Sequence, residues 1–169
     1  MKRFLRSVFS LCLAFIMLVP TAFASSEDVP VGQDVFLTEE EIAAIFALNP
    51  NNPSNNSDNT RASDLISFYS LGISLDGSTL YVVGKTTATP EVVKCGFKEV
   101  IVQRRTSSSA AWSDYIVMED LYWDNSIYNL AKTFTVPSGY QYRATCIHYA
   151  KKNFFSVQKI NNISNTVTY

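Results

Sequence analysis

From Leu65 to Tyr169 apolar residues recur at every second position, and turn signals break the pattern about every ten residues. That period suits strands with one face in a core, and no stretch of useful length here carries helical periodicity. "LGISLDGSTLYVVG" reads as a hairpin: Leu71, Ile73 and Leu75 share a face with Leu80 and Val82, and Asp76-Gly77 are expected to supply the positive φ angles of the turn. In "GFKEVIVQRR", Val100 and Val102 point inward and Ile101 and Gln103 outward. Phe97 is out of step with them, which marks a bulge or a strand that begins after it. "SDYIVMED" is expected to be a short peripheral strand. "IYNLAKTFTV" aligns Tyr128, Leu130, Phe134 and Val136, with Lys132 at the rim. "PSGYQYRATCIHYAKKNFF" carries the sixth strand and "SNTVTY" the seventh. The expectation is an all-β, seven-stranded antiparallel β-sandwich over residues 63–169, long enough at about 105 residues to bury a sufficient core.

The first residues are basic and are followed by "SVFSLCLAFIMLV", with small residues at Ala22 and Ala24. That order predicts a signal peptide over 1–24, cleaved after Ala24. The apolar run is too short to span about 30 Å of hydrocarbon, so the product is expected to be secreted, with no membrane span after cleavage. Residues 25–62 form an acidic segment outside the core. Thr38 and Glu41 make the capping box of a short helix over 38–48, with Ile42, Ile45, Phe46 and Ala43 as its apolar side. "NPNNPSNNSDNTRAS" is nearly devoid of apolar residues and is expected to be a disordered linker. The helix is expected either to dock on the body or to serve as a pro-segment or a partner-binding tail. Arg61 would offer an accessible place for trimming.

From Ser25 to Thr60 there are seven acids and no Lys or Arg, whereas from Arg61 onward eleven Lys and Arg face eight acids. The basic residues, among them Arg104-Arg105 and Lys151-Lys152, are too scattered for a nucleic-acid surface and are expected to be solvated strand positions.

"VPSGYQYRATC" resembles the junction of strands E and F in fibronectin type III domains, where a Pro or Gly corner precedes a tyrosine. The resemblance implies that Tyr142 is the corner tyrosine, with Ala144 and Cys146 next inward. With "IVQRRTSSSAAWSDY" and the stretch Tyr142–Ala150, residues 61–169 are also similar to a group of small uncharacterised secreted proteins of Gram-positive bacteria. That resemblance implies an immunoglobulin-like or fibronectin type III-like sandwich and an exported address, and no activity. Once the leader is removed, Cys95 and Cys146 remain. Export permits a disulfide between them. In such a sandwich, however, a residue near Ala150 should stand opposite Cys95, with Cys146 about two rows along, beyond the roughly 7 Å that a bond tolerates. Free thiols are therefore expected unless the lead-in to the strand folds back.

His148 shares parity with Tyr142, Ala144 and Cys146 and is expected to be a packed, hydrogen-bonded core residue. A Cys-His nucleophile pair would need closer approach, an orienting group and an oxyanion site. One His and two Cys without close spacing are too few for zinc. "EDLYWDN" (Glu119, Asp120, Asp124, Asn125) falls short of a calcium loop, because bulky rings interrupt it and the turn glycine is missing. No phosphate loop, dinucleotide fingerprint or nucleophile elbow occurs, so an enzyme is not expected and no cofactor or metal is implied.

The candidate ligand-binding residues are Tyr122, Trp123, Asp124 and Asn125, a mixture of flat rings and polar groups suited to sugars, and the pair Phe154-Phe155 in the turn after the sixth strand. The competing reading is that these rings close the ends of the sandwich. Two functions of different class follow. One is a secreted, non-enzymatic module that binds an envelope glycan or a protein through its loops. The other is a toxin-like or bacteriocin-like effector whose acidic segment is a removable pro-region.

Overall fold

The computed structural model describes residues 30–50 and 64–169. The expected signal peptide, its cleavage after Ala24 and the Asn-rich linker with Arg61 lie outside the described residues. Among the described residues there are eight strands and one helix: β1 (Gln33–Asp34), α1 (Glu39–Ala47), β2 (Ile66–Asp76), β3 (Thr79–Ala88), β4 (Lys94–Arg105), β5 (Ser113–Trp123), β6 (Ile127–Thr135), β7 (Gln141–Asn153) and β8 (Ser156–Thr168). They form two antiparallel four-stranded sheets, ordered β1-β6-β3-β2 and β5-β4-β7-β8. The strand count is thus eight rather than seven. The additional strand, β1, comes from the acidic segment expected to lie outside the core, and it adds to the otherwise unpaired edge of β6.

Alternation places the core between the sheets. Leu71 and Ile73 of β2, Leu80 and Val82 of β3, Val100 and Val102 of β4, Leu130 and Phe134 of β6, and Tyr142, Ala144 and Cys146 of β7 are all buried. The first hairpin turns on Gly77-Ser78, between paired Asp76 and Thr79. Gly77 alone takes a positive φ (53°), so the expectation for Asp76 is corrected: the glycine-first form of a two-residue turn needs only one such residue. The bulge at Phe97 is present. Between Phe97 and Glu99 the register with β7 shifts, which returns Phe97 to the inner face beside Val100 and Val102. Its ring lies so close to Gly84 that a β-carbon there would come within 2.6 Å of it. The tyrosine corner also forms, with the Tyr142 hydroxyl donating to the Pro137 carbonyl at 2.6 Å.

β5 is an edge strand, as expected, but it is not short, running on through Trp123. β8 likewise begins well before "SNTVTY" and spans 13 residues. Amide side chains stitch β8 to β2 across the side of the sandwich. Gln158 Oε1 accepts from Leu65 and Ile66 N–H (2.6 and 2.7 Å), and Asn165 exchanges both bonds with the backbone of Ile73 (3.1 and 2.9 Å). Where the β7–β8 register shifts, the Ala144 N–H donates to Ser164 Oγ (2.8 Å) in place of a ladder partner.

The described part of the acidic segment, residues 30–50, belongs to this structure. Thr38 and Glu41 form both bonds of the capping box (Glu41 N to Thr38 Oγ1 3.2 Å, Thr38 N to Glu41 Oε2 2.8 Å). The bonds that the Thr38 N–H and hydroxyl donate to Glu41 Oε2 hold its carboxyl below the ordinary pKa. α1 buries Ile45 against Gly72 of β2. Beyond its end, the buried Asn49 donates to Leu71 O (2.6 Å) and Ile163 O (3.0 Å), one carbonyl from each sheet. Among the described residues no helix is long and apolar enough to cross a membrane.

Candidate functional site

The register brings the candidate residues to one end of the sandwich. Trp123 ends β5 level with Cys95, which is level with Ala150 of β7, and the β7–β8 hairpin extends beyond that row to Asn153. The loop from Thr89 to Val93 borders the same end, since Val93 N–H donates to Lys151 O at 2.9 Å.

Tyr122 and Trp123 are strand residues rather than loop residues, and they diverge. Tyr122 lies on the outer face of its sheet, its ring 5.1 Å from that of Tyr149, with the Lys94 ammonium 5.3 Å from its centroid. Its hydroxyl donates to Asp120 (2.7 Å), which also pairs with Lys98. Asp120 holds the only positive φ among the described non-glycine residues (55°), opposite the bulge in β4. The Lys98 hydrogen bond, then that of Tyr122, keeps its carboxyl below the ordinary range, and the same bond to Asp120 raises the Tyr122 phenol. Trp123 turns the other way. It reaches across to β6, where Nε1–H donates to Ile127 O (2.5 Å) and the ring meets Tyr128 edge-on at 5.6 Å. It therefore closes part of the end of the core, yet it remains 55% exposed.

Asp124 faces Lys94 at 3.7 Å, and Asn125 Oδ1 accepts from the Ser126 N–H (2.7 Å). The side-chain oxygens of Asp120, Asp124 and Asn125 are thus turned to Lys98 and Tyr122, to Lys94 and to the local backbone. Among the described residues no three His, Cys, Asp or Glu side chains converge as a metal site requires.

Phe154 and Phe155 form the two-residue tip of the β7–β8 hairpin. They are 82% and 93% exposed, with their rings edge to face at 5.1 Å. The turn is fixed by Asn153, whose Oδ1 accepts from the Phe155 N–H (3.0 Å), so neither ring is needed to make it. Val93, Ile127 and Val157, also at this end, are exposed too. Lys152 at the base of the tip faces Glu91 (3.6 Å). Val31 and Phe36 are comparably bare, but they flank β1 and α1.

His148 and Cys146 sit in the core below this end. The imidazole packs against Phe97 (4.8 Å) and Tyr69 (5.1 Å), and Nδ1 is 2.7 Å from Thr86 Oγ1. The Thr86 hydroxyl donates to Gly96 O (3.1 Å), which assigns the ring proton to Nδ1 and leaves Nε2 to accept from Asn162 Nδ2 (3.4 Å). Burial depresses the imidazole pKa to about 3. It also raises the Cys95 thiol to about 11 and pushes Cys146 higher still. Such thiols stay protonated, the reverse of what a nucleophile requires. Both cysteines are free and buried. Cys95 pairs with Ala150 and Val100 with Cys146, which separates the two by four residues of one strand, roughly 13 Å.

No family model, curated protein or solved structure matches this chain.

Proposed function

We propose that this chain is an exported, non-catalytic β-sandwich module that attaches to a protein partner in the cell envelope through the end bearing Phe154, Phe155 and Trp123. The observation that carries this reading is the bare phenylalanine pair at a hairpin tip whose turn does not depend on it. Burying two such rings contributes about 3–6 kcal/mol, whereas leaving them in water serves neither folding nor solubility. The glycan alternative draws less support. The Tyr122 ring is covered by Lys94 and Tyr149, and its polar neighbours are engaged with one another. The docking of α1, the strand β1 and the bridging Asn49 support residues 30–50 as a permanent part of the protein rather than a removable pro-region. The order of β2, β3 and β6 in one layer and β5, β4, β7 and β8 in the other supports a fibronectin type III arrangement, as does the Tyr142 corner. The resemblance to small secreted proteins of Gram-positive bacteria agrees with an exported role.

Binding of the purified chain to isolated envelopes, before and after protease treatment or glycan digestion, tests the partner class. Loss with protease alone is expected. Loss with glycan digestion alone would replace the protein reading with the sugar-binding one.

A further inference from the structure

The basic residues expected to be solvated and scattered are not all so. At the end of the sandwich opposite the phenylalanine tip, Arg105 and Arg143 both stack on Trp112, each guanidinium 4.3 Å from the ring centroid. They come from adjacent strands and project from the outer face, since Arg143 lies between the buried Tyr142 and Ala144. Their positive charges are therefore at most twice that distance apart. Each Nε is tied down by a glutamine on the neighbouring strand: Arg143 to Gln103 Oε1 and Arg105 to Gln141 Oε1, both at 2.8 Å. One further bond, Arg105 Nη1 to Ser108 O (3.0 Å), leaves Arg105 Nη2 and both Nη groups of Arg143 as donors without a partner among the described residues. No described carboxylate lies within ion-pair distance of either arginine. Asp114, on the same sheet, takes the Gln103 amide instead (2.7 Å).

Like charges fixed this close repel. Desolvation lowers the Arg143 pKa and the charge of Arg105 lowers it further. Stacking on the indole offsets part of that repulsion, and an anion held by both forks would relieve more of it. Neutral glutamines hold the forks without neutralising them, which leaves the pair preorganised and uncompensated.

We propose that Arg105 and Arg143, clamped on Trp112, form a binding site for a tetrahedral oxyanion, the phosphate or sulfate group of an acidic ligand. The two guanidiniums grip its oxygens from either side, and the glutamines set their orientation. The site is separate from the aromatic end and does not depend on the partner proposed there.

The test uses the full isotope-labelled chain, titrated with inorganic phosphate, inorganic sulfate or chloride at matched ionic strength. The indole N–H of Trp112 and the Nε–H of Arg105 and Arg143 are followed by NMR. Saturable shifts with phosphate or sulfate, absent with chloride and absent at the Trp123 indole, are expected; the tighter arm names the ester. Arg143→Gln should weaken binding about tenfold or more, the loss of a charge-assisted contact. Arg105→Lys, which keeps the charge but not the fork, should weaken it as well. Shifts that rise linearly without saturation, that chloride reproduces, or that both variants retain in full would overturn the proposal. If a variant fails to fold, the selectivity of the wild-type chain for tetrahedral anions over chloride decides alone.

Discussion

Acidification is the sharpest perturbation of this fold, because the sequence has a single histidine and it lies in the core. The folded imidazole is neutral, with its pKa depressed to about 3 by burial, and protonation would set an Nε2–H against the Asn162 amide donor. In the unfolded chain the same group titrates near the ordinary value of about 6.5. Between these values the unfolded state binds the extra proton, so stability rises with pH and is lost as pH falls. The slope approaches 1.4 kcal/mol per pH unit, and between pH 7 and pH 5 the loss sums to about 2 kcal/mol, before most carboxylates titrate. Urea denaturation at half-unit steps across that range should show the midpoint falling steadily. His148→Gln should be less stable at pH 7 but nearly flat from there to pH 5. A wild-type midpoint that stays constant over that range would refute the buried, neutral placement of His148.

Tyr142→Phe should cost about 1 kcal/mol or more, because it strips the donor from the Pro137 carbonyl, while Tyr140→Phe should cost less; equal, negligible losses would remove the corner assignment. Intact mass under denaturing, non-reducing conditions should show two alkylations, at Cys95 and Cys146, and a product with none would mean that the β4–β7 register is wrong. Asn49→Ala should destabilise the chain by about 1–3 kcal/mol, since it releases two carbonyls, one from each sheet. The fragment 64–169 should keep the circular dichroism of a β protein at a lower melting temperature, and an unfolded fragment would show that the acidic segment is indispensable.

The sequence made the core strands legible where apolar parity was unbroken. The β2–β3 hairpin, the inward face of β7 and the bulge at Phe97 follow from alternation and from one residue out of step. What escaped it was polar structure. "VQKINN" lacks a continuous apolar face because Gln158 meets the Leu65 and Ile66 N–H groups through its amide oxygen, which periodicity reads as loop. β1 is two residues long, and its pairing with β6 leaves no local signature. The Arg105–Trp112–Arg143 stack joins residues from two strands and the loop between β4 and β5, so only their parity on adjacent strands could have hinted at it. At the aromatic end the residue types were legible but their directions were not. Tyr122 and Trp123 part because adjacent strand residues face opposite sides, and only the packing shows which ring meets Tyr149 and which Tyr128.

The proposed role of the phenylalanine tip is attachment, not folding. The direct measurement compares the wild-type chain with Phe154→Ser/Phe155→Ser, recording the melting temperature and the fraction of purified protein retained on isolated envelopes. An unchanged or slightly raised melting temperature is expected, with retention lost in the double variant. A clear fall in melting temperature would make the rings part of the fold, and undiminished retention would place attachment elsewhere; either result contradicts it.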